Sequence, residues 1–191
     1  SYLFSEKVNL VVSHFIDVNE IDFVNAIMYQ LKSIGKEVTV FDMAEAYEKN
    51  YGITCYNSDF DNSMVKIYND IMTNKDKDKY YFIIGTGYLK TRLTKAQMIV
   101  NKIFENLSEI NNTHFIFFDT YDSLRSLQTE LWYQNLNKES GIWLGPGVGN
   151  QSVINASRVS VEDKKLNFEY MAFVFDKGKY SVIKHIVDRE V

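Results

Sequence analysis

Along the first two thirds of the chain, short apolar runs alternate with segments of helical spacing. The run "VNLVVSHF" (Val8–Phe15) predicts a buried strand. In "IDFVNAIMYQLKSI" the residues Val24, Ile27, Leu31 and Ile34 recur on one stripe, which predicts a helix. Asp17 and Glu20 are spaced as its capping box and Gly35 as its stop. Lys36–Met43 predicts the next strand, and the stretch "AEAYEKNYGITCYNSDFD" reads as irregular or weakly helical. A second helix is expected from about Asn62 to Met72, with Val65, Tyr68 and Met72 on its stripe. "NKDKDK" reads as a solvated charged turn, and Tyr80–Gly85 as a central strand. Thr94 and Gln97 suggest a capping box for a helix running through Leu107. Thr113–Thr120 then predicts a strand, and Tyr121–Leu136 a helix carrying Leu124, Leu127 and Leu131.

The pattern changes after Gly141. "GIWLG" and "SVINAS" predict short strands, and "NFEYMAFVF", a "DKG" turn and "KYSVIKHIV" predict a terminal hairpin. Repeated strand–helix alternation predicts an α/β fold: a mostly parallel, three-layer sheet with antiparallel strands at its end. Nothing along the chain reads as a linker or a repeat, so residues 1–191 are expected to form a single domain.

Composition narrows the function classes. A net charge of −4 argues against a nucleic-acid partner. Cys55 is the only cysteine, so the chain can form neither an internal disulfide nor a thiolate zinc cluster. No apolar run is long enough to predict a membrane span within this sequence. The chain opens on Ser1 rather than Met, which suggests a piece of a longer protein.

Candidate chemistry concentrates at the ends of the predicted strands, where ligands sit in open α/β sheets. The first crossover, Ser13–Phe23, is the place for a phosphate loop. Such a loop needs glycines so that its amides surround phosphate, a lysine for the β and γ charges, and a hydroxyl for Mg²⁺. This crossover has neither glycine nor lysine, and Asp17 and Glu20 would repel a polyphosphate. His14 reads as a structural histidine. The third strand ends in Gly85, Thr86 and Gly87, where an NTPase needs acidic side chains, so this triplet reads as a tight turn. Asp42 and Asp119 end strands and could ligate Mg²⁺, but read better as caps or turn formers. His14, His114 and His185 lack metal-ligand spacing, and no serine lies in a nucleophile elbow. Tyr47, Tyr51, Tyr56 and Phe60 cluster in the irregular segment, either folded over the sheet or as a protein-binding surface. Residues 141–151, "GIWLGPGVGNQ", hold four of the nine glycines and the only proline. Extended chain follows them, so they lack the helix N-terminus that would complete an anion site.

The stretches "YYFIIGTGYL", "THFIFFDTYDSL", "ESGIWLGPGVGNQSVIN" and "MAFVFDKGKYSVIKHI" resemble the last ATPase-like domain of the EssC-type coupling proteins of type VII secretion, of the FtsK/SpoIIIE class. The signature rests on Gly141, Trp143, Gly145, Gly147 and Gln151, followed by the hairpin with Lys177 and Gly178. The resemblance implies a RecA-like P-loop core at the cytoplasmic side of a membrane-anchored protein. It also implies a hexameric parent whose other domains use ATP and Mg²⁺, and secreted small helical-hairpin proteins as partners. Matched residue by residue, the phosphate-loop lysine and hydroxyl have no counterpart around Ser13, His14, Asp17 and Glu20. The acidic pair falls on Gly85, Thr86 and Gly87. The expectation is therefore a RecA-like domain with degenerate nucleotide motifs, no cofactor and no catalytic residue. Its role would be to recruit cargo or to regulate adjacent ATPase domains. Two other readings stay open: an active NTPase in which Lys90 or Arg92 folds over Ser13, and a structural spacer.

Overall fold

A computed structural model describes Phe4 and residues 6–16, 18–48, 52–166 and 171–184. Its core is one eight-stranded sheet in the order β3-β2-β4-β5-β1-β6-β7-β8. The strands are β1 (Val8–Ser13), β2 (Glu37–Asp42), β3 (Thr54–Tyr56), β4 (Lys79–Ile84), β5 (Thr113–Thr120), β6 (Gly141–Leu144), β7 (Met171–Asp176) and β8 (Lys179–Lys184). β3, β2, β4, β5, β1 and β6 run parallel, and β6-β7-β8 form the antiparallel end. β1 lies between β5 and β6, with both faces buried, which is why its sequence is a continuous apolar run rather than an alternation.

The pleat divides the core between two faces. On one, Val24, Met28 and Leu31 of α1 (Val18–Ser33) pack on Val11, Val40, Phe82, Ile116 and Phe118. On the other lie α2 (Phe60–Thr73), α3 (Gln97–Glu105), α4 (Tyr121–Ser126) and α5 (Leu131–Gln134). They cover Leu10, Val12, Phe41, Tyr81, Phe115 and Phe117, with Phe104 of α3 stacked on Trp132 of α5 at 4.8 Å. The result is the expected three-layer α/β fold with a terminal hairpin.

Several local expectations change. α1 starts at Val18, which puts Glu20 in its first turn, while Asp17 falls outside the described residues. Gly35 ends the helix as expected, at φ +84°, but Ile34 is exposed and Met28 takes its place on the buried stripe. α2 buries Met64, Ile67 and Ile71, one position off the expected stripe, and leaves Val65 exposed. The segment read as irregular contains β3. Its aromatics fold over the sheet: Tyr47 is buried on the α1 face and Phe60 meets Phe41 on the other. Tyr51 lies outside the described residues.

The Thr94/Gln97 box does not form. Asp61 of α2 instead accepts the backbone N–H groups of Thr94, Lys95 and Ala96 and the Thr94 hydroxyl, capping α3 from a neighbouring helix. α3 ends at Glu105, and a separate 3₁₀ turn covers Leu107–Glu109. The helix expected from Tyr121 breaks into α4, a 3₁₀ turn and α5, and Leu131 faces solvent while Trp132 and Tyr133 are buried. "SVINAS" is not a strand. The charged turn is only partly solvated: Lys79 is 2% exposed, paired with Asp70 at 3.0 Å, and Asp78 pairs with Lys36.

Candidate functional site

The ends of β1, β4, β5 and β6 bring the two candidate loops together. Four positions, 14–17, separate β1 from α1, fewer than a glycine-bounded phosphate loop with its lysine requires. Ser13 is buried, and its hydroxyl donates to the carbonyl of Phe15 at 2.6 Å, so the crossover itself consumes it. His14 Nε2–H donates to the carbonyl of Pro146 at 2.8 Å. The Trp143 indole N–H donates to the same carbonyl at 3.0 Å and to that of Gly145 at 3.1 Å. Gly147, at φ +94°, turns the chain back over the two rings: a Cβ there would lie 3.3 Å from His14 Nε2 and 3.6 Å from the Trp143 ring. The glycine-rich loop therefore closes onto the β1 crossover instead of framing an open cradle.

Gln151 holds the far side of this loop. Its side-chain oxygen accepts from the N–H groups of Val153 and Ile154 at 2.8 and 2.7 Å, and its amide donates to the Ile154 carbonyl. After Gly147 the chain makes only a three-residue 3₁₀ turn, Val148–Asn150. Of the signature residues, Trp143 and Gln151 brace the loop through their side chains, and Gly147 lets it pass close over His14.

At the end of β4, Gly85 turns at φ +75° and Thr86 is fully buried, its hydroxyl donating to the Ile83 carbonyl at 2.8 Å. Gly87 N–H donates to Asp119 Oδ2 at 2.7 Å, and Thr120 N–H to Asp119 Oδ1 at 2.7 Å. Burial pushes the Asp119 carboxyl up, against the opposing pull of these amides and of Ser123. Asp42 accepts from the N–H groups of Ala46 and Tyr47 at 3.1 and 2.8 Å. Both acids act as turn formers. Both carboxylates already hold backbone amides, an arrangement that does not favour a Mg²⁺–nucleotide. Among the described residues no group of three or more His, Cys, Asp or Glu is placed to hold a metal ion.

The basic residues that an unusual phosphate site would need point elsewhere. Lys90 Nζ donates to Thr129 at 2.7 Å and lies 3.7 Å from Glu130. Arg92 donates to the Met43 carbonyl at 2.8 Å and stacks 4.1 Å above the Tyr88 ring. Neither contacts Ser13. Cys55 is half-buried, and burial pushes its thiol up to about 11, away from thiolate chemistry. His185 lies outside the described residues.

Solved structures provide the comparison. The cytoplasmic domain of EssC matches over 95% of this chain and 40% of its own, at 12% identity and a TM-score of 0.64. EssC ATPases 2 and 3 from Geobacillus thermodenitrificans match over 95% of this chain and 37% of theirs, at 10% identity and a TM-score of 0.64. The genome-packaging NTPase B204 of Sulfolobus turreted icosahedral virus 2, solved with ATPγS, matches over 94% and 96%, at 15% identity and a TM-score of 0.53. The fold is that of a RecA-like P-loop NTPase. At these identities the likeness establishes the fold alone, and the chain spans less than half the length of the EssC chains. No protein-family model and no curated protein matches the sequence.

Three contacts of this P-loop-type core left no trace in the sequence pattern: His14 to Pro146, Gly87 to Asp119, and Asp61 to the start of α3. Each joins positions far apart in the chain through a single atom pair or a small amide cluster, and periodicity carries no record of such pairs.

Proposed function

We propose that this chain is a nucleotide-silent, ATPase-derived domain of a type VII secretion coupling protein. In this reading it recruits secreted substrates or regulates adjacent ATPase domains of the same protein. The observation that carries the proposal is the closed end of β1, where His14 and Trp143 share the Pro146 carbonyl. The diversion of Asp119 and Asp42 onto backbone amides supports it. The EssC likeness over 95% of the chain supports the choice of system. The domain would then work at the cytoplasmic face of a membrane-anchored oligomer, with ATP and Mg²⁺ bound by other domains. No helix among the described residues is long and apolar enough to cross a membrane, so the anchor would lie elsewhere in the parent protein.

A second reading, an active NTPase, draws on the end-to-end likeness to a viral NTPase solved with ATPγS. The positions of Lys90 and Arg92 weigh against it.

Recruitment is tested by titrating the purified chain with small secreted helical-hairpin proteins, with and without ATP·Mg²⁺. Saturable binding that nucleotide leaves unchanged is the expected result. It should be weakened at least tenfold by an aspartate at one of the exposed apolar positions Phe15, Met98 or Leu131. Capture by a neighbouring ATPase domain alone, with none by this chain, would overturn recruitment.

A further inference from the structure

Both ring nitrogens of His114 meet acceptors. Nδ1 lies 3.0 Å from the Glu6 carbonyl, ahead of β1, and Nε2 lies 2.9 Å from Asp78 Oδ1, in the turn before β4. The ring is mostly buried and stacks on Tyr80 at 4.5 Å with 15° between planes, so it cannot turn away cheaply. A carbonyl oxygen cannot donate, and neither can an ionised carboxylate. A neutral imidazole has only one N–H, so either tautomer leaves a nitrogen lone pair facing an oxygen lone pair. Both contacts are complete only when each nitrogen carries a proton.

We infer that His114 is a proton-dependent clasp at the N-terminal edge of the sheet, joining the entry of β1 to the turn before β4 when its ring is an imidazolium.

The surrounding charges are consistent with this arrangement. Asp78 faces the ring with one oxygen and Lys36, from the α1–β2 turn, with the other, so a single carboxylate bridges two cations. Lys7, at the entry of β1, directs its ammonium to the carbonyls of Leu107 and Ile110. On β2, Glu37 pairs with Lys77 at 2.7 Å, and from α1 Lys32 donates to the Gly52 carbonyl at 2.9 Å. Asn9 supports the other end by donating to the Glu6 carbonyl at 3.0 Å. Loss of the ring proton breaks one of the two His114 contacts. Asp78 stays on Lys36, and the segment entering β1 is released from the turn.

The direction of the pH effect follows from proton linkage. Both contacts are complete only with a proton on each ring nitrogen, so the clasp holds with the imidazolium and slackens as pH rises and that form is lost. Urea unfolding between pH 5.5 and 8.5 should show the wild-type midpoint falling with pH, relative to His114→Gln. Asp78→Asn should flatten the difference. Ring-nitrogen NMR on the wild-type chain gives a readout that needs no variant: both nitrogens should carry protons at pH 6.5. A single protonated ring nitrogen in the folded chain at that pH would overturn the inference, as would the same pH slope in His114→Gln.

Discussion

An alanine at position 141 would drive its Cβ into the backbone of the adjacent strand: against the Leu10 carbonyl and to 3.0 Å from the Leu10 nitrogen. Backbone cannot yield as a flexible side chain can, so Gly141→Ala should lower stability by about 3 kcal/mol. Chemical denaturation would measure this, with a fall in midpoint and little change in slope. Asp61 offers a second test. Its carboxyl is held below the ordinary aspartate range by the N–H of Ala96, then by the Thr94 hydroxyl and further backbone amides. Asp61→Ala should cost about 1 kcal/mol at neutral pH, the usual scale of a lost cap. A depressed carboxyl stabilises above its unfolded range and loses that contribution as pH falls. The difference between wild type and variant should therefore shrink below about pH 4, and urea midpoints at pH 7 and pH 3 would show it. Both residues stand plainly in the sequence, yet only the first drew notice there, as part of a dense glycine cluster. The reason Gly141 must be glycine is a contact with a strand more than a hundred positions away. The partners of Asp61 lie over thirty positions ahead.

At the scale of elements, the helix expected over Tyr121–Leu136 broke for a packing reason. Leu124, Leu127 and Leu131 suggested one helix, but the buried side chains at its end are Trp132 and Tyr133. The larger rings claim the core, the chain kinks through the Leu127–Thr129 turn, and Leu131 is left outside. The last segment, α5, has only four residues and cannot stand on its own hydrogen bonds. Lys138 supports it, its Nζ donating to the carbonyls of Tyr133, Gln134 and Leu136 at 2.8, 3.3 and 3.1 Å, 4.8 Å from the Tyr133 ring. Burial holds this ammonium below the ordinary lysine range, yet the carbonyls still favour the charged form. Lys138→Met keeps the aliphatic stem and removes the donors, so it should cost about 2 kcal/mol. The loss should appear first in the near-ultraviolet signal of Trp132 and Tyr133, ahead of global unfolding. Strand positions were easier to read because a two-sided core enforces continuous apolar runs. β3, with three residues, was too short to register.

For the whole molecule, strand–helix alternation made the layer architecture legible, and the apolar turn-separated end announced the hairpin. Strand order was not legible: β1 pairs with β5 and β6, and no local pattern encodes those partners. The same holds for the candidate site. That residues 13–23 hold no lysine and that Gly85, Thr86 and Gly87 follow β4 could be read residue by residue. The closing of the glycine-rich loop onto His14, 132 positions away, emerged only from the fold. In the proposed reading that closure is what keeps the chain from holding a nucleotide, and it can be tested directly. Calorimetric titration of the purified chain with ATP·Mg²⁺, with phosphate release followed in parallel, should show no saturable binding at millimolar nucleotide and no turnover above background. Micromolar, Mg²⁺-dependent binding with phosphate release would contradict the account.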